Sequence, residues 1–386
     1  WVEITWDEAL EIVTEKLRKV RAEDPRKLAM CGGIPSLAPL TFGMGIFMPA
    51  FGSSNVFLSN GNQCGNAEHL LAATLHAALT TNPDLERTNY LLVFGSHCGT
   101  AAYYALTTMA QRMADARARG MKLVVVDPML NASAEKADEW LPIRPGTDGA
   151  LALAMLHVLL NELGIFDAAY LREHTNGPYL IGDDGRYVRE RGSGKPLIWD
   201  SHDGKAKAFD DATLREPALE GGARVAGEAC RPAFELLREQ VKPWTPERAA
   251  EITTIPAATI RSVAREFGEA ARIGSTIAID GKTLPYRPAS LVYFKGAHGH
   301  NHAWLTSLAI ELLCEVVGAS NVPGGLLGCN PVCYGHPETQ LPRWVPKADR
   351  DGLLLPGLWF GASEPGFSGA LYPPPEPRSP QWLHLQ

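Results

Sequence analysis

The apolar positions of this chain recur with two periods, and the switches between them divide it into elements. Residues 7–20 set Ala9, Leu10, Ile12, Val13, Leu17 and Val20 at helical spacing with charges between, which predicts an amphipathic helix. Residues 27–31 form a short apolar run stopped by Gly32-Gly33, a strand entering a turn. Residues 41–51 read as helix despite their glycines, and 55–58 as a further strand. The strongest pattern follows: a buried strand at 89–94 ending in Gly95-Ser96-His97-Cys98-Gly99, and a helix at 101–119. A second buried strand at 121–126 ends in Asp127-Pro128. A short third segment at 140–143 precedes Arg144-Pro145-Gly146-Thr147-Asp148-Gly149, and a helix covers 150–163. Strands separated by helices in this way imply a parallel sheet with helices on its faces, and so an α/β fold.

Beyond this block the pattern loosens. Residues 176–222 are rich in Gly, Asp, Arg and Lys with short alternating pieces, which predicts a surface insertion of hairpins. Helices are predicted at 233–240, 246–250 and 256–271, the last two started by Thr245 and by Ile255-Pro256. A strand is expected at 273–279, running into Asp280-Gly281-Lys282, and a helix at 304–317 ended by Gly318. From about residue 330 the chain is rich in Pro and Gly without firm periodicity, and no repeat of solenoid length occurs.

Composition narrows the picture. The 386 residues are 45% hydrophobic, enough for roughly two or three domains. A formal net charge of −7 argues against nucleic acid and against a basic membrane-surface patch. No run reaches the roughly 18 apolar residues of a membrane span. The chain opens on a capped helix start without an initiator Met or signal pattern, so it is expected to be a fragment whose localisation is not legible. Seven scattered cysteines, Cys31, Cys64, Cys98, Cys230, Cys314, Cys329 and Cys333, make a poor disulfide framework and a poor zinc site. The close pair Cys329 and Cys333 reads as two ordinary thiols in a loop.

Ligands of such sheets sit at the carboxyl ends of the strands, here the turns 95–99, 127–128 and 146–149. None carries a dinucleotide fingerprint or a phosphate-binding P-loop, which disfavours a nicotinamide dehydrogenase or an NTPase. Each turn offers backbone donors and most a carboxylate, an arrangement suited to an extended ligand with a purine at one end. Asp127 and Asp148 could accept from guanine donors or ribose hydroxyls.

Taken in order, Trp6-Asp7-Glu8-Ala9-Leu10, Gly52 to Val56, Cys64, the strand ending at Gly95-Ser96, the strand ending at Asp127-Pro128, Pro145-Gly146-Thr147-Asp148-Gly149-Ala150 and Pro323-Gly324-Gly325 resemble the molybdopterin oxidoreductase family, from residue 1 to about 328. The resemblance implies two interleaved, Rossmann-like α/β domains with mostly parallel sheets, the dimethyl sulfoxide reductase-type core. Residues 1–62 would rejoin 270–386 in one domain, and 63–269 would form the other, with its insertion at 176–222. It implies two molybdopterin guanine dinucleotides around one molybdenum or tungsten atom and two-electron chemistry on a small-molecule substrate containing sulfur, arsenic or carbon. The partner it implies is an iron–sulfur electron-transfer subunit. A [4Fe–4S] segment is expected before residue 1, and a capping domain after the last one.

Residue by residue, the resemblance makes Gly95, Ser96 and His97 the turn beside one dinucleotide, His97 standing where the family usually has Asn. Asp127 follows the next strand, and Gly146, Thr147 and Asp148 form the guanine-side loop. The 295–301 segment, with His298, His300 and Asn301, matches the second-dinucleotide turn, and Gly281 and Lys282 an upstream strand end. Cys64 falls at the protein ligand to the metal, where a thiolate suits molybdenum or tungsten; a buried free cysteine is the plain alternative, and Cys98 the rival ligand. His69 lies five residues on, as a proton shuttle or an ordinary surface-helix histidine. Arg144 is a phosphate partner or a strand-end salt bridge. The alternation of His298, His300 and His302 could bind zinc, hold pyrophosphate or pterin, or simply line a loop. Cysteine ligation resembles thiosulfate, polysulfide and arsenate reductases and some formate dehydrogenases. The 281–283 and 298–301 segments also resemble acetylene hydratase, which adds water at tungsten without net redox change. A third possibility is a structural subunit that has lost its cofactor.

Overall fold

The computed structural model describes residues 1–32, 47–58, 67–76, 78, 80–98 and 106–329. The chain divides into two compact units, Trp1–Asn66 and Ala67–Gln386. In the first, α1 (Trp6–Glu23) starts where Thr5 accepts the amide of Glu8 at 3.2 Å, an N-cap that satisfies one of the free donors of the first turn. A two-stranded parallel sheet pairs β1 (Met30–Gly32) with β2 (Val56–Leu58). Between them α2 (Met48–Phe51) is closed by Gly52 in the left-handed conformation.

The second unit begins with a π-wound turn at 67–69 that continues as α3 (Leu70–His76). Strand β3 (Thr80–Pro83) leads to β4 (Tyr90–Phe94), then α4 (Leu106–Ala118), β5 (Lys122–Val126), α5 (Ala132–Glu135), β6 (Glu139–Leu141) and α6 (Asp148–His157). Helix α6 is prolonged by a π-wound stretch, Val158–Leu163, that Gly164 ends with a positive φ. After α7 (Ala168–His174) the chain forms β7 (Leu180–Gly182), β8 (Leu197–Asp200), β9 (Lys205–Ala208), β10 (Ala223–Val225) and β11 (Glu228–Pro232). Helices α8 (Ala233–Val241), α9 (Pro246–Thr253) and α10 (Ala257–Ala270) follow. The last elements are β12 (Thr276–Ile279), β13 (Lys282–Pro285), β14 (Ala289–Tyr293), α11 (Lys295–His298), α12 (Ala303–Val316) and β15 (Leu326–Cys329).

The organising sheet has the order β14-β4-β5-β6, and all three pairings are parallel. Every residue of β4 is buried. Tyr90, Leu92 and Phe94 join the core formed with α6, α10 and α12, while Leu91 and Val93 face Met109, Met113 and Ala116 of α4. This alternation is the period-2 signature of a strand covered on both faces, and it bears out the α/β fold expected from the sequence.

Strand β14 was not anticipated from the sequence. It pairs with β4 in full register from Ala289–Tyr90 to Tyr293–Phe94, so residues 289–293 belong to the sheet of residues 90–141. The expected division at 270, which assigned them with residues 1–62, does not follow this sheet. The reason is physical: the buried apolar edge of β4 takes the nearest apolar strand, Ala-Ser-Leu-Val-Tyr, whatever its distance along the chain. The sheets are also less uniformly parallel than expected. Among the described residues, β7, β10 and β11 pair antiparallel, as do β8–β9, β12–β13 and β3–β15. Residues 176–222 are hairpins, as read from their composition. No single helix among the described residues is long and apolar enough to cross a membrane.

Candidate cofactor-binding site

The carboxyl ends of the four parallel strands share one edge of the sheet, and the turns leaving them are held to one another. Gly95 leaves β4 with φ +52°, donates its amide to Val126 O at 2.9 Å and accepts from Gly296 N at 3.1 Å. A side chain at either Gly95 or Gly296 would collide with the backbone of the other turn. Glycine is therefore required at Gly95 for a backbone-to-backbone contact between the β4 and β14 turns. Cys98 N donates to Ser133 Oγ at 3.1 Å, tying the same turn to α5. Asp127, at the end of β5, is buried. One carboxylate oxygen accepts Met129 N at 2.8 Å, closing an Asx turn, and its carbonyl accepts the indole of Trp140 at 2.8 Å.

Asp148 is the first residue of α6 and is 3% exposed. Burial pushes its carboxyl up to about 7, helped by the nearby charge of Asp127 and opposed by a backbone hydrogen bond. Thr147 is held by its own loop, donating to Arg144 O at 2.7 Å. Gly146, with φ +78°, faces open space. Arg144 is exposed and has no carboxylate partner among the described residues, so the strand-end salt bridge is not formed.

The 295–302 segment separates its histidines sharply. His298 is fully enclosed, stacked edge-on to Tyr293 with ring centroids 5.9 Å apart, yet neither ring nitrogen has a hydrogen-bond partner among the described residues. Burial lowers its pKa to about 4, reinforced by His300, His69 and Lys295, so the ring is neutral and offers one donor and one acceptor. His300 is occupied: Nδ1 accepts His302 N at 3.2 Å, which places the hydrogen on Nε2, and that nitrogen donates to Ala297 O at 3.2 Å. His302 and Asn301 are exposed. No three His, Cys, Asp or Glu residues among those described gather closely enough to hold a metal ion, which removes the zinc reading for this trio.

His69 is buried, not on a surface helix, and its Nδ1 lies 2.6 Å from Glu68 Oε2. Glu68 in turn accepts Thr81 N at 3.1 Å. Ser96, 3% exposed, has an unpartnered hydroxyl. Cys98, the rival ligand, is buried, and its thiol is pushed up to about 12 by burial against the help of Ser133. Cys64 lies outside the described residues.

Gly281 and Lys282 are not part of this edge. Asp280 and Gly281 both have positive φ and close the exposed hairpin β12–β13, which precedes the amino end of β14. An Asp-Gly pair between two short apolar runs is a hairpin signal, and the turn follows the strand end expected there, at Ile279. The residues missed by the sequence reading are Glu68 and Thr306; the latter lies against Gly149 and within 3.5 Å of His300 Nε2. The adjacent Glu68-His69 pair was the signal available for one of them.

Fold and strand-end turns describe an α/β protein with enclosed polar groups gathered at one sheet edge. The family model described as molybdopterin oxidoreductase matches residues 1–234, and the chain belongs to that family. Among curated relatives it is 31% identical to a sulfite dehydrogenase subunit of Allochromatium vinosum, over 93% of this chain and 39% of that protein. It is 27% identical to the perchlorate reductase alpha subunit of Dechloromonas aromatica, over 91% of this chain and 40% of that protein. The arsenate respiratory reductase molybdopterin-containing subunit of a Shewanella species is 28% identical, over 88% and 34%. A solved structure, acetylene hydratase from Pelobacter acetylenicus, aligns over 82% of this chain and 33% of that one, with 23% identity and a TM-score of 0.47. The chain thus spans about two fifths of the length of the first two relatives.

Proposed function

We propose that this chain is the cofactor-holding core of a molybdenum or tungsten oxidoreductase that carries two molybdopterin guanine dinucleotides and acts on a small inorganic or sulfur-containing substrate. The observation that carries the reading is the set of enclosed, unpartnered groups at the carboxyl edge, His298 Nδ1 and Nε2 and Ser96 Oγ. A buried donor or acceptor left unmade costs about 1–3 kcal/mol, and a ligand edge rich in amide and ring nitrogens would recover that cost. The residues fit such a group. Asp148, with Asp127 beside it, would accept the donors of a guanine or ribose. Arg144, without a carboxylate partner among the described residues, would meet a phosphate. His298 and Ser96 would hydrogen-bond the pterin or pyrophosphate of the ligand.

When bound, the metal of this cofactor would supply reversible two-electron chemistry on the substrate. The chain's own part is to orient and to handle protons. Cys64 would be the protein ligand to the metal. The buried Glu68–His69 pair, whose His69 disfavours the protonated form of His298, would hold a proton near the reaction. Gly95, His97, Gly146, Thr147, His300 and Asn301 would shape the turns; Gly281 and Lys282 would not take part. The named relatives act on sulfite, perchlorate and arsenate, and all three are named as subunits. By analogy this chain would act on a sulfur, chlorine or arsenic oxo compound and pass electrons to or from an iron–sulfur subunit.

The test is elemental analysis and acid-released nucleotide on the full-length protein, made in a host that builds the cofactor. Molybdenum or tungsten with a pair of guanine nucleotides per metal is the expected result, and Asp148→Asn and Ser96→Ala should each lower nucleotide retention. Neither metal nor nucleotide would leave a cofactor-free structural subunit. Metal with water addition and no need for an electron acceptor would move the protein to the hydratases.

A further inference from the structure

No hydrogen bond among the described residues fixes the plane of the His298 ring, because both of its nitrogens lack a partner there. Two aromatic neighbours bracket it instead. Tyr293, the last residue of β14, meets it edge-on with centroids 5.9 Å apart and an interplanar angle of 84°. Phe294 meets it at 5.8 Å and 49°. Aromatic pairs favour particular angles as well as contact, so they can orient a ring without occupying its polar atoms. Of the two neighbours, Tyr293 has a further anchor at its far end, where its hydroxyl donates to Glu311 Oε1 at 2.6 Å. Burial, and after it the charges of Glu311 and Glu68, hold the phenol well above its usual pKa, so the hydroxyl stays a donor.

Glu311 is itself held from more than one side. It is fully enclosed on α12, and its other oxygen lies 3.7 Å from His76 Nε2, within ion-pair range. His76 ends α3, and its Nδ1 lies 3.1 Å from Asn321 Oδ1. That oxygen also accepts Gly328 N at 2.9 Å, which identifies it as an acceptor, so Nδ1 carries a hydrogen. Burial opposes the charge on His76, but Glu311 and Glu315 outweigh it and raise the ring above its usual value. A buried charge pair adds little net stability over apolar side chains of similar volume, but its partners set the direction of each oxygen. Segments from α3, β14, α12 and residues 321–328 thus meet around one carboxylate, and the Tyr293 hydroxyl is tied to it.

We propose that Tyr293 is a positioning residue for His298: anchored at Glu311, its ring holds the imidazole at the angle in which the open nitrogens meet the cofactor. This role rests on the redox reading above, in which His298 hydrogen-bonds the pterin or pyrophosphate. An enclosed imidazole with two unmade hydrogen bonds gains by turning toward any protein partner within reach. The anchored Tyr293 ring, with Phe294 on another side, opposes that turn. Hydrogen bonds to a cofactor tune its electronics, so an imidazole turned out of place changes the potential of the bound centre without any change of charge.

The test is the midpoint potential of the metal in full-length, cofactor-loaded protein, with metal and nucleotide measured on every sample. His298→Phe should shift it. Tyr293→Phe removes one oxygen and no charge; it should shift the potential in the same direction, by no more, and add nothing in the His298→Phe background. Glu311→Asp keeps the charge but draws the carboxylate back from the hydroxyl. It should repeat that pattern, and it covers the case in which Tyr293→Phe fails to fold. A tyrosine that only fills the core would leave the potential of folded, loaded protein where it was. No shift in Tyr293→Phe and Glu311→Asp, or a shift that persists in the His298→Phe background, overturns the positioning role alone. Loaded protein whose potential ignores His298→Phe overturns the His298 contact and this role, and leaves the cofactor in place. Wild-type protein without metal and nucleotide overturns the proposed function and this role with it.

Discussion

Two buried polar regions of this chain are built on opposite terms. In the hairpin insertion, Lys207 is enclosed but fully served: Nζ donates to Asp200 Oδ2 at 2.6 Å, Asp203 Oδ2 at 2.5 Å and Thr213 O at 2.6 Å. Asp200 also collects the amides of His202, Arg215 and Glu216. At the carboxyl edge of the main sheet, His298 and Ser96 are also enclosed, and the His298 ring nitrogens and the Ser96 hydroxyl have no hydrogen-bond partner among the described residues. Under the proposed function, that difference is one of role. A polar group that serves the fold is satisfied by the fold, whereas one that serves a ligand is left open at a cost in stability until the ligand arrives.

The comparison can be broken by substitution, and the largest effect should come from the satisfied side. Lys207→Met leaves the enclosed carboxylate of Asp200 without its cation, the kind of change that destabilises most. It should unfold the hairpin insertion ahead of the rest, seen as rapid limited proteolysis within residues 197–215. Retained protection would mean the network is not what holds the insertion.

The site side should respond with the opposite sign in cofactor-free protein. Asp148 is held protonated up to about 7 against an ordinary value of 3.8. The native state therefore binds more protons than the unfolded chain between those values, and stability falls as pH rises through them. The full penalty, roughly 4 kcal/mol at most, is present above pH 7 and absent near pH 4. Asp148→Asn should stabilise the cofactor-free chain by up to that amount at pH 8 in chemical denaturation, and by nothing near pH 4. A gain independent of pH would refute the assignment.

Smaller effects follow at the open groups themselves. His298→Phe removes two orphaned nitrogens and should stabilise cofactor-free protein by about 1–3 kcal/mol at neutral pH. The native ring titrates at about 4 and the unfolded one near 6.5. Wild-type stability is therefore whole above 6.5 and lost as pH falls toward 4, a loss the Phe variant should not show. Ser96→Ala should change cofactor-free stability by about 1 kcal/mol or less while reducing nucleotide retention. Stabilisation that persisted in the cofactor-loaded protein would undo the contrast between the two regions.

Much of this molecule was legible along the chain. Helix α1 with its Thr5 cap, the buried strands β4 and β5, the helices after them and the turns carrying Ser96, Asp127 and Asp148 all rest on local rules. Apolar period, capping chemistry and glycine placement act within a few residues of one another, and the ordered set of short motifs sufficed to point to the family. The end of β12 at Asp280-Gly281 was legible too, whereas the returning strand β13 was not anticipated.

Other features were decided only in three dimensions. That β14 lies beside β4, that His69 is enclosed against Glu68 and Thr81, and that His76 meets Glu311 and Asn321 all depend on segments far apart in the chain. Whether a histidine is a loop clasp, as His300 is, or an open contact, as His298 is, depends on what surrounds its ring nitrogens. By itself the sequence determined which segments could be strand, helix or turn, because those preferences are local. Only the tertiary structure decided which buried polar groups found partners, because that depends on the packing of distant segments.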